Sequence, residues 1–351
     1  MSKKTNARMS KKTKKWAIIL GIELVLIVIL VPLAFLYSKF ALVQRAEADE
    51  VNKANIVINE DVDVDTQKVL KGYRNIALFG VDTREGKLDG DTRSDSIIIV
   101  SINHDTKEIK LLSVYRDTCL YVPGWGYTKA THAYAYGGAE LSMSMLNTNF
   151  DLDITEFATV DFGVLAKLID ALGGIEIDLS EAEFSLIHDL IDEQNWATGS
   201  DSPFLDGPGL QLLNGTQATA YARIRKIDSD YMRSERQRIV LTEMFKKAKD
   251  ANVSQLLKIV DTVLPEVYTN FSNSDMLVLA KDLNNYDLVE SSGFPFEKYE
   301  GSLDDGLSYV FADGFNNNVI ALHEYLFGNS TYSPSPTVDN IGNEIYSKVM
   351  R

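Results

Sequence analysis

The chain has 351 residues, a formal net charge of −15 and 45% hydrophobic residues, as in a folded protein with one large core or two small ones. So acidic a surface repels nucleic acid over most of its area, which argues against nucleic acid as a partner. The single cysteine, Cys119, excludes an internal disulfide and a cysteine-cluster metal site, and the four histidines lack zinc-ligand spacing.

The beginning of the chain has the pattern of a membrane anchor. Residues 1–15 carry seven basic and no acidic side chains, and residues 16–37 form an apolar run with one charge, Glu23. A helix of that length crosses about 30 Å of hydrocarbon, and the basic tail predicts a cytoplasmic N-terminus. We therefore predict a single-pass protein of the cell membrane, with residues 38–351 outside a bacterial cell. A cleaved signal peptide is the alternative.

Strands and helices alternate after a polar, acidic stretch at residues 38–71, which we interpret as a stalk. The predicted strands are residues 75–80, 96–102, 109–115, 156–160 and 174–179. The predicted helices are residues 138–150, 162–172, 214–226 and 234–251. This alternation indicates a layered α/β domain over residues 72–265. Residues 266–351 are predicted to form a helical extension and a tail, with helices at 275–283 and 317–326.

Charged side chains lie at the ends of the first three predicted strands. They are Asp82, Arg84, Arg93, Asp95 and Arg116. If the strands are antiparallel neighbours, these groups meet at one edge of the sheet. Two adjacent carboxylates favour a cation between them, and Mg²⁺ takes one or two carboxylates plus phosphate oxygens. Because arginines bind phosphate through a planar fork, we expect a magnesium–pyrophosphate site at this edge.

Five of the chain's twelve arginines lie in a single stretch, residues 221–241. They are Arg223, Arg225, Arg233, Arg236 and Arg238. Arg233 and Arg236 are three residues apart and share a helix face, whereas Arg238 points elsewhere. Arg223 and Arg225 share a face only where the backbone is extended or a helix ends. The spacing therefore allows four of these arginines to face one site.

The arginine cluster has a second interpretation, as ion pairs on a solvated surface. The nearby acids are Asp228, Asp230 and Glu235. Exposed pairs of this kind are common and weak. An ordinary surface would mix lysine with arginine, yet Lys226 is the only lysine among these five arginines. We therefore favour an anion site, and the absence of an aromatic platform around the cluster argues against nucleic acid.

Two predicted helical stretches carry apolar side chains at helical spacing. These side chains are Val164, Leu165, Leu168, Ile169 and Leu172, and Leu186, Ile187, Leu190 and Ile191. They form either ordinary core or the lining of a tunnel for an apolar chain.

Eight blocks of the sequence resemble, in order, the motifs of the LytR-CpsA-Psr family. They are NIALFGVDTR, TRSDSIIIVSI, LLSVYRDT, KATHAYAYGG, FATVDF, LGGIEIDL, LLNGTQATAYARIRK and RSERQRIVL. The resemblance covers about residues 72–250. It implies a three-layer α/β/α domain around a mixed β-sheet, in a single-pass membrane protein of a Gram-positive-type bacterium. One departure is Tyr115, where many relatives have proline.

The resemblance also implies a function. Members of the family move a glycopolymer, such as wall teichoic acid or capsular polysaccharide, from an undecaprenyl-pyrophosphate carrier to peptidoglycan. The chain resembles, in this respect, a magnesium-dependent phosphotransferase whose partners are the lipid-linked glycan, peptidoglycan and membrane lipid. The resemblance assigns Mg²⁺ to Asp82 and Asp95, and it makes these two residues and Arg116 catalytic. It assigns pyrophosphate binding to Arg84, Arg93, Arg116, Arg223, Arg225, Arg233, Arg236 and Gln237.

Two other functions would use the same residues. The chain could be a polyprenyl-pyrophosphate phosphatase with water as the acceptor. It could also be a non-catalytic lipid-phosphate-binding regulator, since the older label of the family is transcriptional attenuator. Direct DNA binding is disfavoured by the predicted topology and by the charge.

Overall fold

The computed structural model describes residues 44–45, 53–82, 88, 92–225 and 229–350. Residues 43–351 cluster into one compact unit. The predicted cytoplasmic tail and membrane span, residues 1–37, lie outside the described residues. Within the ranges that are described, no helix combines the length and apolar character needed to cross a membrane.

The described residues contain strands from both halves of the compact unit. In chain order they are β1 (Gln44–Arg45), β2 (Tyr73–Val81), β3 (Ser94–Asn103), β4 (Glu108–Val114), β5 (Cys119–Val122), β6 (Gly126–Lys129), β7 (Glu156–Asp161), β8 (Ile175–Leu179), β9 (Gly209–Leu213), β10 (Tyr268–Thr269), β11 (Asp287–Phe294), β12 (Lys298–Ser302) and β13 (Ser308–Ala312).

The α-helices of the same residues lie between and after these strands. They are α1 (Val64–Leu70), α2 (Ala130–Phe150), α3 (Phe162–Leu172), α4 (Glu181–Thr198), α5 (Gly215–Arg223), α6 (Asp230–Lys249), α7 (Val253–Thr262), α8 (Asn273–Lys281), α9 (Phe315–Phe327) and α10 (Pro336–Val349).

The central sheet is mixed, with the strand order β1-β10-β7-β2-β3-β4-β11. Strand β2 runs antiparallel to β3 and parallel to β7, and β3 runs antiparallel to β4. The antiparallel neighbours β2, β3 and β4 confirm the strand arrangement that the sequence predicts. Three short two-stranded sheets, β5-β6, β8-β9 and β12-β13, complete the strands of the described residues.

Helices cover both faces of the central sheet, as the alternation of side chains along β2 shows. Ala77 and Phe79 point into the main core, where they join Tyr134 and Met143 of α2. Leu78, on the opposite face, lines a cavity beside α3 and α6. Each buried large apolar side chain contributes about 1.5–3 kcal/mol, so the two faces hold these layers together.

A second core lies away from the sheet, between α3, α4, α5 and the β8-β9 hairpin. Ile169, Ile187, Ile191 and Leu213 are each fully buried in it. Three of the helical apolar residues singled out by their spacing therefore belong to core. This second core fixes α5, which carries the first arginine of the cluster.

Residues 266–351 contribute more than the predicted helices. The helices at 273–281 and 315–327 are present, but β10 and β11 also join the central sheet. Strand β11 forms the edge of the sheet beside β4, and most of its side chains are at least partly exposed. Because an edge strand lacks the apolar run of a central strand, the sequence pattern did not indicate it.

Part of the predicted stalk packs against the unit. Ile56 lies in the main core, and the Val57 N–H donates to Ser144 Oγ at 3.0 Å. Asn59 donates to a carboxylate oxygen of Asp151 at 2.6 Å in a buried contact. Residues 53–71 are therefore packed on the folded unit.

Candidate active site

The site begins where β2 ends and β3 starts. The register of β2 against β3 shifts between Gly80 and Val81, Val81 makes the last pair with Ser94, and Asp82 follows directly. Asp95 lies at the second position of β3, and its Oδ1 accepts a hydrogen bond from Arg116 Nη1 at 2.6 Å. The structure therefore brings together these three predicted site residues, since Asp82, Asp95 and Arg116 line one cavity. Arg84, also predicted for this site, lies outside the described residues.

The first turn of α2 holds the backbone on both sides of the ion pair. The Thr131 N–H donates to the Arg116 carbonyl at 2.9 Å, and Thr131 Oγ1 donates to the Ser94 carbonyl at 2.9 Å. Each such hydrogen bond is worth about 1 kcal/mol net. Thr131 therefore fixes the position of Arg116 relative to Asp95, a role that sequence reasoning did not assign.

The arginine cluster reaches the same place from the other side. Helix α5 ends at Arg223, and Ile224 has extended dihedral angles of φ −59° and ψ 126°. Arg223 and Arg225 therefore face one cavity, as the spacing allowed for a helix end. Arg233, on α6, faces it too.

These residues enclose a cavity of about 340 Å³, which we call the polar cavity. Its described lining consists of Asp82, Asp95, Arg116, Phe162, Leu186, Asp189, Leu190, Glu193, Arg223, Ile224, Arg225, Arg233 and Gln237. Four arginines and four carboxylates are present in this lining, so their formal charges balance. A dianion that enters together with a divalent cation leaves that balance unchanged.

Acidic side chains close to Arg116 and Arg233 affect the pKa values of these two arginines. Arg116 Nε lies 3.4 Å from Asp230 and 3.6 Å from Asp117. Burial lowers the pKa of Arg116, but Asp230, Asp95 and Asp117 outweigh it, so the pKa is raised. The pKa of Arg233 is lowered, chiefly by burial and in part by the charge of Arg116, although Asp230 opposes this.

Two buried donors on arginines that line the polar cavity lack hydrogen-bond acceptors. Arg116 Nε and Arg233 Nε make no hydrogen bond within the described part of the chain. Buried donors are almost always satisfied, and leaving one unpaired costs about 1–3 kcal/mol. Both Nε atoms are enclosed by protein, so a ligand in the cavity would contact the terminal nitrogen atoms of these arginines.

Arg236 is placed differently from the other predicted arginines. It is buried, its Nε donates to Glu183 at 2.7 Å, and its Nη1 donates to the Ile224 carbonyl at 3.0 Å. It is absent from the lining of the polar cavity. Its contacts instead fix the backbone between Arg223 and Arg225. The helical spacing of Arg236 could not reveal these contacts. Spacing shows which side chains share a face of the helix, but not which element packs against that face.

Arg238 faces away from the polar cavity, as its spacing predicts. It is as buried as Arg233, at 7% exposure, and it lies near Tyr115 and Tyr325. Burial lowers its pKa. Arg233 and Arg238, both on α6, therefore differ in surroundings and not in burial.

An apolar cavity of about 180 Å³ adjoins the polar one, and Phe162 and Gln237 line both. Its remaining described lining is Leu78, Phe79, Gly80, Val81, Ser96, Ile98, Ala158, Val160, Asp161, Val164, Leu165, Leu168, Ala222, Leu241, Met244, Val263 and Val267. Val164, Leu165 and Leu168 are among the helical apolar residues for which a tunnel was one interpretation. The passage from charged to apolar lining matches a ligand with an anionic head and a hydrocarbon tail.

A third space, which we call the outer cavity, measures about 700 Å³ and shares Asp82, Asp95, Arg116 and Arg225 with the polar cavity. Its other described lining residues are Thr92, Arg93, Asp117, Lys129, Thr131, His132 and Leu307. Lys129 Nζ pairs with Asp117 at 2.8 Å. Burial, with Arg93 and Lys129, lowers the pKa of His132 and so favours its neutral form. Arg93 therefore faces the outer cavity.

Several residues of the site escaped the sequence reasoning. Asp230 binds Arg233 at 3.1 Å and approaches Arg116, whereas the sequence indicates it only as a surface partner of the arginines. Its position three residues before Arg233 was the available signal. Lys129 and His132 lie within the block KATHAYAYGG, but no local signal shows that this block packs against the start of β3.

The residues present fit a magnesium ion. Within the ranges described, no three or more His, Cys, Asp or Glu side chains form a cluster that could hold a metal by themselves. Mg²⁺ needs no such cluster, because it commonly takes one or two carboxylates and completes its shell with phosphate oxygens and water. Asp82 and Asp95 both face the charge-balanced cavity and suit this role.

Comparison with known proteins gives one consistent result. The model of the LytR_cpsA_psr family matches residues 35–321. The chain is 31% identical over 324 residues to the polyisoprenyl-teichoic acid–peptidoglycan teichoic acid transferase TagU of Enterococcus faecalis, covering 87% of this chain and 94% of the relative. It is 30% identical over 229 residues to the transferase TagT of Bacillus subtilis, covering 64% and 69%. A solved structure of TagT bound to LIIa-WTA has a TM-score of 0.61 at 25% identity, covering 83% of this chain and 100% of that one.

Proposed function

Because the chain belongs to the LytR_cpsA_psr family, we propose that it transfers a glycopolymer from an undecaprenyl-pyrophosphate carrier to peptidoglycan by phosphoryl transfer. The TagU and TagT relatives are teichoic acid transferases, and the proposed polymer is of the teichoic acid or capsular type. The observation that carries the proposal is the convergence of Arg116, Arg223, Arg225 and Arg233 on one cavity that opens into an apolar one.

The two adjoining cavities divide the carrier between them. The polar cavity receives the pyrophosphate, and the apolar cavity beyond Phe162 and Gln237 receives the first part of the prenyl chain. Arg116 and Arg233 donate N–H groups at the ends of their guanidinium groups to phosphate oxygens, and Arg223 and Arg225 neutralise the remaining charge. Arginine suits this task because it stays protonated even when buried.

The transfer step follows from this placement. An acceptor hydroxyl attacks the phosphorus atom that bears the glycan, the bond from that phosphorus to the bridging oxygen breaks, and lipid phosphate leaves. Such transfer needs positioning and charge stabilisation more than covalent chemistry, and the arginines supply both. The proton of the acceptor hydroxyl passes to an oxygen of the departing lipid phosphate, because Asp82 and Asp95, the two carboxylates predicted for the site, are assigned to the metal.

We propose Mg²⁺ as the cofactor, held by Asp82 and Asp95. When bound, it would neutralise charge on the pyrophosphate oxygens. Arg236 is a positioning residue, because it ties Glu183 to the Ile224 carbonyl and so holds the turn between Arg223 and Arg225.

We also propose that residues 16–37 anchor the enzyme as a single span, with the N-terminus in the cytoplasm and the catalytic unit outside the cell. The support is the sequence pattern together with the carrier, a lipid that the enzyme must meet at the membrane. The proposed catalytic domain is residues 72–265, with residues 38–71 leading into it and residues 266–351 completing it.

The test is to incubate the full-length chain in detergent with lipid-linked glycan and soluble peptidoglycan fragments, with and without Mg²⁺. We expect a glycan–peptidoglycan conjugate that requires the metal. Free phosphorylated glycan would identify a phosphatase. Bound but unreacted lipid would identify a binding protein, and either of these results would overturn the proposal.

A further inference from the structure

Two aromatic side chains outside the three cavities form an exposed stack. The rings of Trp125 and Tyr136 lie 4.1 Å apart between centroids, with 19° between their planes. Trp125 is 60% exposed and Tyr136 is 40% exposed. We call this pair the aromatic platform. Exposed aromatic surface that is held in place and left uncovered is a frequent mark of a binding site.

The backbone around the platform is built to present it. Trp125 lies in the turn between β5 and β6, and its N–H donates to the Val122 carbonyl at 2.9 Å. Gly124 and Gly126, on either side, have φ angles of 79° and 83°, which side-chain-bearing residues rarely adopt. Tyr136 is the last residue of α2 before the helix is interrupted at Gly137. A tight turn and a helix break therefore set the two rings against each other.

The platform continues the outer cavity. The ring of Tyr136 lies 5.7 Å from that of His132, and His132 lines the outer cavity together with Asp95 and Arg116. The outer cavity is lined by polar side chains that offer hydrogen-bond donors and acceptors. Lys129 is one of the donors. An extended ligand could therefore run from the catalytic carboxylates to the aromatic rings without leaving protein surface.

This combination suits a sugar chain. The face of an aromatic ring is negative, so it attracts the weakly positive C–H groups on one face of a pyranose ring. Hydroxyl and acetamido groups at the edges of the sugar need polar partners, which the outer cavity provides. An apolar peptide would not use those polar groups, and nucleic acid would meet an acidic protein surface.

We propose that the aromatic platform and the outer cavity bind the glycan strand of the acceptor, a polymer of N-acetylated hexosamines. This inference rests on the proposed function, because it names the acceptor side of that site. In phosphoryl transfer the attacking oxygen approaches opposite the leaving group. In the proposed reaction the leaving group is lipid phosphate, which departs toward the apolar cavity. The attacking hydroxyl therefore approaches from the opposite side of the polar cavity, which the outer cavity supplies.

The test is a titration of the full-length chain in detergent with a lipid-free tetrasaccharide of alternating N-acetylglucosamine and N-acetylmuramic acid. We expect Trp125→Ala to weaken binding about fivefold to tenfold, as loss of an aromatic contact would. Trp125→Phe should restore most of the affinity. Tyr346→Ala, which removes an aromatic side chain that is 67% exposed on α10, is the matched control and should bind like the wild type.

Several outcomes would overturn the inference. The wild type could fail to bind the tetrasaccharide, or Trp125→Ala could bind it as tightly as the wild type. If Trp125→Ala instead weakened binding of the lipid-linked glycan, the platform would serve the donor. Failure of the proposed function is distinguishable, because it would appear as missing conjugate while tetrasaccharide binding remained sensitive to Trp125.

Discussion

Asp95 and Arg116 lie 21 residues apart in the chain, yet 2.6 Å separates Oδ1 of the one from Nη1 of the other. The cause is the antiparallel pairing of β3 with β4, in which Ile98 faces Ser113. If that register continues for three more residues, Asp95 comes opposite Arg116. The site is therefore a consequence of strand register, and a simple hairpin places an acid against the arginine that we assign to the pyrophosphate.

Arg116→Ala should reduce the rate of transfer about 10²-fold to 10³-fold, the usual loss when one donor to a developing oxyanion is removed. Arg116→Lys keeps the charge but loses the planar fork, so its rate of transfer should lie between that of the wild type and that of Arg116→Ala. The measurement is the initial rate of conjugate formation. Wild-type rates in the alanine variant would show that Arg116 only serves the ion pair with Asp95.

Leu168→Trp should fill part of the apolar cavity and exclude the prenyl chain. The cavity measures only about 180 Å³, and Leu168 contributes to its wall from α3. We expect the variant to lose affinity for a long-chain prenyl pyrophosphate at least tenfold and to keep its affinity for inorganic pyrophosphate. Val278→Trp, at a half-exposed position on α8, is the control. Equal loss for both ligands would contradict a separate lipid compartment.

Arg236→Ala should act through stability. Arg236 and Glu183 form a pair whose side chains are 4% and 12% exposed, and breaking such a buried pair costs about 3–5 kcal/mol. Arg223→Ala removes a partner of Glu193, which is 56% exposed, and should cost about 1 kcal/mol or less. Urea unfolding of the two variants measures the difference. Similar free energies of unfolding would remove the positioning role from Arg236.

The stability of the fold should depend on His323 in mildly acidic solution. Burial lowers its pKa to about 4, although the Phe150 carbonyl and Asp151 oppose the shift. Its ring stacks on Tyr332 at 3.5 Å and its Nε2–H donates to the Phe150 carbonyl at 2.8 Å, so the neutral form is the one that packs.

The sign follows from linkage. In the unfolded chain this histidine takes up a proton near pH 6.5, whereas in the folded chain it does so only near pH 4. The contribution of His323 to the free energy of unfolding is complete above pH 6.5. About 3 kcal/mol of it is lost as the pH falls from 6.5 toward 4. His323→Gln should show a correspondingly weaker decline over this range in urea unfolding. Parallel pH profiles for the two proteins would contradict the assignment.

Local signals account for the elements that were predicted well. The helix predicted at residues 162–172 is observed as Phe162–Leu172, because Asp161 caps its first turn and Gly173 ends it at a φ of 90°. The helix predicted to start at residue 138 is the second part of α2, whose dihedral angles are non-helical at Gly137 and Gly138. The part of α2 before that break includes Thr131 and His132, and the sequence pattern did not predict this part as helix.

What could not be predicted depends on contacts distant in sequence. Acids and arginines at strand ends indicated one edge of the sheet, and antiparallel pairing of the first three strands made Asp82, Asp95 and Arg116 converge. The pairing of Arg236 with Glu183, 53 residues away, had no local signal. The proximity of Trp125 to the outer cavity had no local signal either, because it depends on how the β5-β6 turn packs beside α2.

The most direct test of the account compares two arginines of one helix. Arg233 and Arg238 lie on α6, both are 7% exposed, and burial lowers the pKa of each, but only Arg233 lines the polar cavity. We would titrate the full-length chain with geranylgeranyl pyrophosphate. Because hydrogen bonds to charged groups are worth about 1.5–3 kcal/mol, Arg233→Ala should weaken binding about tenfold to a hundredfold. Arg238→Ala should bind like the wild type. Equal affinities for the two variants would contradict the assignment of the polar cavity to pyrophosphate.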